Sequence, residues 1–131
     1  MVERPSTYWR RTVSEEAEQV AAGVLARGEA HAAQLWPPRF TAEVDEVLLA
    51  YEREIAALDE PSDEAVWAAV ERAVLALNDV NVEHGRIETE EREDLCEHLD
   101  AVLTRAGVDV DALTGRRDAD RSELTDEWRE W

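Results

Sequence analysis

Apolar residues recur along this chain at intervals of three and four, and four stretches carry the recurrence far enough to predict α-helices. The first passes through Val13, Ala17, Val20, Val24, Gly28, His31 and Leu35. It opens at Thr12-Val13-Ser14-Glu15, which has the spacing of a capping box, and stops at Trp36-Pro37-Pro38. The second runs through Val44, Leu48, Tyr51, Ile55 and Leu58, from a Thr41 cap to Asp59-Glu60-Pro61, with Glu43, Asp45 and Glu46 near its positive end. The third follows Ser62-Asp63-Glu64 and carries Val66, Trp67, Val70, Ala73, Val74 and Leu77; the same face projected onward meets Asn81 and His84 before Gly85 stops it. The fourth, capped by Thr89, carries Leu95, Cys96, Leu99, Val102, Leu103 and Ala106 and closes at Gly107.

The connection between the second and third helices is short enough to make them antiparallel neighbours. The expected fold is all-α: an antiparallel four-helix bundle-like domain with a short fifth helix at Asp109 to Thr114 and aromatic-rich ends. Residues 1–11 hold Pro5, Tyr8, Trp9, Arg10 and Arg11 without periodicity and read as an N-terminal arm. Residues 116–131 are mostly charged but contain Leu124, Trp128 and Trp131, which suits a segment starting near Ser122 or Thr125 and packed on the bundle. Gly23 and Gly28 weaken the first helix by about 1 kcal/mol each relative to Ala, a cost compatible with another backbone coming close. Nothing alternates long enough to be a strand, and 131 residues suit a single helical domain over 1–131.

Charge changes the picture. The chain has 32 acidic residues against 14 basic ones, a net of −18, and every basic residue is Arg. Residues 1–40 are balanced; the excess lies wholly in 41–131. A field of that sign repels nucleic acid and anionic membranes and attracts cationic proteins or metal ions, although adaptation to salt would also select it. With one cysteine, Cys96, the chain has no internal disulfide and no cysteine-rich zinc module. No apolar run reaches the length of a membrane span, and the first residues do not begin a secretory signal, so the expected address is cytoplasmic.

Three sets of residues are candidates for chemistry. Between the third and fourth helices Asp79, Asn81, Glu83, Gly85, Ile87 and Glu91 follow the order of a calcium loop, with His84 inserted one position before the Gly. On this reading Asp79, Asn81, Glu83 and Glu91 would supply the oxygens for Ca2+. A polar pocket is the second candidate: His31, Asn78, Asn81, His84 and Arg92 fall at or near inward-facing positions on three helices, where they would either line a ligand site or satisfy one another and the helix ends. The third is the acidic face of the fourth helix, with Glu90, Glu93, Asp94 and Glu97 as its partner-binding residues. Cys96 reads as a small buried hydrophobe, and Asp94 and His98 as a solvated surface pair.

The preferred expectation is a non-enzymatic binding or regulatory protein that engages a cationic protein or peptide through its acidic face, with homodimerisation as a further option. A small-molecule-binding or enzymatic domain built on Asn81, His84 and Arg92 is the alternative, and a Ca2+-responsive helix-loop-helix at 79–91 the third reading.

Overall fold

Pro5 starts the first helix. It sits in the first turn, where its missing N–H costs nothing, behind an extended Arg4, and α1 runs Pro5–Ala21. The computed structural model describes residues 2–131; Met1 lies outside the described residues. Residues 5–11, expected to be an arm, are therefore the first two turns of α1. Thr12 does not cap anything, since its hydroxyl donates to the Tyr8 carbonyl one turn earlier (3.0 Å).

The helix also stops earlier than its stripe predicts. Gly23 adopts φ +75°, and the N–H groups of Gly23 and Val24 return to the carbonyls of Val20 (3.1 Å) and Gln19 (2.9 Å), the paired bonds of a Schellman stop. Both glycines of this region face open space, so neither admits a neighbouring backbone. Residues 22–31 are irregular apart from a 3-10 turn at Arg27–Glu29, and α2 is one short turn, Ala32–Leu35. Val24, Leu35 and His31, all expected on a buried stripe, are exposed.

The remaining helices are α3 (Pro38–Ala56), α4 (Asp63–His84), α5 (Thr89–Arg105) and α6 (Val110–Gly115). Pro38, not Thr41, opens α3; Thr41 is buried inside the helix and its hydroxyl donates to the Pro38 carbonyl. Ser62 caps α4 by accepting from the Ala65 N–H, and Gly85 ends it at φ +62°. Asp109 caps α6 through the Ala112 N–H. At α5 the cap is Glu88, one residue before the expected Thr89, in a reciprocal box with Glu91.

The chain is all-helical, with four principal helices, and no strand occurs among the described residues. Helices α3 and α4 are the most extensive pair and run antiparallel: Glu54 meets Arg72 at one end and Glu43 meets His84 at the other. One core joins the helices. Val44, Leu48, Tyr51 and Ile55 from α3 face Val66, Val70, Val74 and Leu77 from α4, and Leu95, Leu99 and Leu103 come from α5. Tyr51 crosses the core to donate to the Leu99 carbonyl (2.8 Å), and burial pushes its hydroxyl pKa up. Leu124, Trp128 and Trp131 bring the C-terminal segment onto the same core, with Trp128 tilted against Trp67 at 6.0 Å. No described helix is long and apolar enough to cross a membrane.

Trp9 is fully buried and stacked between Trp36 (5.8 Å) and Phe40 (5.7 Å), and its indole N–H donates to Asp94 on α5 (3.2 Å). Trp9→Ala should therefore cost about 3–5 kcal/mol in urea unfolding, the range for a deleted core aromatic. A loss below 1 kcal/mol, on the scale of an exposed substitution, would return the first helical turns to the status of a loose arm.

Candidate functional site

The junction between α4 and α5 is built from helix-ending chemistry. Because α4 continues to His84, only a short segment after Gly85 connects it to α5. Asn81 turns its side-chain carbonyl to accept the Ile87 N–H (3.0 Å), and the buried Glu91 accepts from the Glu88 N–H (3.2 Å). Asn78, one turn before Asn81 on α4, is a clamp. Its side-chain amide donates to the Trp128 carbonyl (2.8 Å) and its side-chain carbonyl accepts the Glu130 N–H (3.0 Å). Arg92 is half-buried with no carboxylate within ion-pair distance among the described residues, and His31 sits exposed before α2 beside Glu16 and Trp36. The five residues considered for a pocket thus sit in separate surroundings, with Asn78 and Asn81 engaged to backbone.

The residues expected to form a calcium loop are helical instead: Asp79, Asn81 and Glu83 alternate along the end of α4, pointing to different sides of it, and Glu91 is consumed in the α5 cap. The strong helix ending at Gly85 overrides the loop-like spacing. Glu83 instead joins His84 and Glu43, whose ligand atoms all lie within 4.8 Å of one another, the group of this kind among the described residues. These donors already have partners. His84 contacts Glu43 and holds its carboxyl below the usual pKa; Arg39 lies 2.7 Å from Glu83 and 4.0 Å from Glu43, and Phe40 packs edge-on against the imidazole. A cation here would have to displace Arg39.

A polar cluster at the start of α1 has no counterpart in the sequence reading. Arg4 pairs with Glu52 (2.7 Å) and Asp45 (3.2 Å), and the buried Ser6 hydroxyl donates to Asp45 (2.8 Å). Burial pushes the Asp45 carboxyl up, but the Ser6 and Arg4 contacts hold it below its usual value. Next to this cluster lies His98, buried on α5 with Glu52 3.4 Å from Nε2 yet off the line of a hydrogen bond. The expected surface pair of Asp94 and His98 is thus split, Asp94 accepting from Trp9 and His98 facing the Arg4–Glu52 pair. A histidine two positions from Cys96 was legible as core only if another helix covered that side of α5, and α1 is that helix.

The outer face of α5 is different in kind. Glu90, Glu93 and Glu97 stand exposed one turn apart, and no arginine lies within ion-pair distance of them among the described residues. Beside them a groove of about 800 Å³ opens between α5 and the C-terminal segment. Glu93, Glu97 and Asp100 line one side of it, with Cys96, Ala101, Leu124 and Val2 among the other lining residues. Cys96 is therefore half-exposed beside Thr125, rather than buried on the stripe. Asp100 is neutralised by a two-pronged contact with Arg121 (2.7 Å on each oxygen), which keeps its pKa below the ordinary carboxylate value. Comparison with known protein families, curated proteins and solved structures finds no match for this chain.

Two outcomes test these assignments. Asn78→Ala removes two part-buried hydrogen bonds, to the Trp128 carbonyl and from the Glu130 N–H, and should cost about 1–3 kcal/mol, with a red-shifted indole emission as Trp128 is released; unchanged stability and emission would remove the clamp. The second concerns acid. Burial pushes the His98 pKa below its ordinary 6.5, so the imidazole stays neutral in the fold while the unfolded chain takes up a proton. Stability should therefore fall as pH drops through about 6.5, and between about pH 7.5 and 5 the slope should be shallower in His98→Leu. Asp45 and Asp100, with lowered pKa values, contribute below that window. Equal slopes in parent and variant would exclude His98 as the acid-sensitive group.

Proposed function

We propose that this chain is a binding or regulatory domain that engages a cationic protein through the outer face of α5. The observation that carries the reading is the row Glu90, Glu93 and Glu97, exposed and without counter-charge in a chain whose arginines mostly serve internal pairs. Charge left unmatched on a rigid surface raises the encounter rate with an oppositely charged partner and rejects like-charged ones. Rigidity comes from the opposite side of the same helix, where Leu95, Leu99 and Leu103 are fully buried, so little ordering remains to oppose binding. Two copies would present like charge to each other on this face, which makes the partner a different chain. An unpaired cysteine suits a reducing, cytoplasmic setting.

Glu93→Arg combined with Glu97→Arg should leave folding within about 0.5 kcal/mol of the parent, because both side chains are exposed. The same pair should weaken binding to an immobilised oligo-arginine peptide at least about tenfold, equivalent to about 1.4 kcal/mol. The parent's affinity should also fall as salt rises from roughly 50 to 300 mM. Binding by the parent that is insensitive to both the substitutions and the salt would sink the proposal.

A further inference from the structure

Charge alone would make α5 sticky to any polycation; the shape beside it is more selective. The 800 Å³ groove forms a trough along α5 from Glu93 to Arg105, about 18 Å at the helical rise, enough for roughly twelve residues of a second helix. Its floor is apolar and only partly covered: Cys96 and Ala101 are half-buried beside Leu124.

Resting on the reading above, we infer that this trough seats an amphipathic basic helix, its apolar side against Ala101 and Leu124 and its cations against Glu93 and Glu97. Charge complementarity selects the sign. Of the two arginines lining the groove, Arg121 is matched by Asp100 and by Asp111 (3.2 Å), and Arg105, which has no carboxylate within ion-pair distance among the described residues, stands about two turns beyond Glu97, so the Glu93–Glu97 end stays negative. The backbone economy selects a helix. The trough walls are side chains, and no strand edge exists among the described residues, so an extended peptide would find no ladder of backbone partners there, whereas a helix satisfies its own N–H and C=O groups. An apolar face of alternating three- and four-residue spacing then fills the floor.

Cys96, the sole cysteine, lines the trough and reports its occupancy. The probe is a Leu/Arg peptide of about fourteen residues patterned as an amphipathic helix; its control has the same composition rearranged to have no apolar face. With the patterned peptide at ten times its Kd, the rate of maleimide modification at Cys96 should fall about tenfold, as the fraction of empty trough does. The control should bind more weakly and leave the rate unchanged. Ala101→Arg, with helical content checked by circular dichroism, should abolish protection; Glu93→Gln with Glu97→Gln, two exposed sites, tests the same seat should that variant fail to fold, and should reduce protection.

The alternatives separate cleanly. If both peptides bind with equal, salt-dependent affinity and neither protects Cys96, the acidic face recognises charge only and the seated helix is wrong. If neither binds, the cationic-partner reading fails with it. If Cys96 becomes protected as protein concentration alone is raised, and sedimentation shows a dimer, the occupant is a second copy and the basic-helix assignment is overturned.

Discussion

Trp9 is enclosed by the rings of Trp36 and Phe40 and tied by its indole N–H to Asp94, so one side chain joins α1 to the segment before α3, to α3 itself and to α5. Each aromatic contact of this kind contributes about 0.5–1.5 kcal/mol beyond the area it buries. The consequences spread outward from it. With Trp9 seated, Arg4 and Ser6 one turn earlier fall against Glu52 and Asp45 of α3, and the same turn of α1 covers the side of α5 that holds His98. Without that lid, His98 and Glu52 would be ordinary solvated side chains.

The same contact explains what was legible in the sequence and what was not. Helices α4 and α5 could be read nearly to the residue because their stripes agree with local stop or start chemistry, as at Ser62 and Gly85, whereas α3 opens at Pro38, ahead of its expected Thr41 cap. The start of α1 could not, for its capping residue is an arginine with no side-chain cap bond and its only large buried anchor is a single tryptophan. Thr12 to Glu15 offered a more conventional start and drew the helix eight residues downstream, which hid the core role of His98. The errors at Val24, His31 and Leu35 have a separate source: Gly23, read as tolerated inside the helix, is its stop.

The candidate site was legible in part. That Asn78 and Asn81 would be polar groups near an inward face followed from spacing; that they would be spent on backbone groups did not, because their partners are the Ile87 and Glu130 N–H groups and the Trp128 carbonyl. Those bonds depend on where the loop and the C-terminal segment run, which no periodicity encodes. The acidic face of α5 was visible from composition alone, but the groove beside it was not, being made by Arg121 to Thr125 folding back against α5.

Arginine placement gives the charge its meaning. A net of −18 on a small domain opposes the compact state by self-repulsion, and the chain counters this with arginines that each join separate segments: Arg4 to α3, Arg116 to the start of α4, Arg121 to α5 and α6. Each such pair neutralises charge where two elements meet, and at partly exposed positions contributes little stability singly. The pairs therefore do more to determine where charge remains than to hold the fold. Glu90, Glu93 and Glu97 stand unpaired beside a groove floored by Ala101 and Leu124, where a cationic amphipathic partner would remove charge repulsion and cover hydrocarbon in one contact.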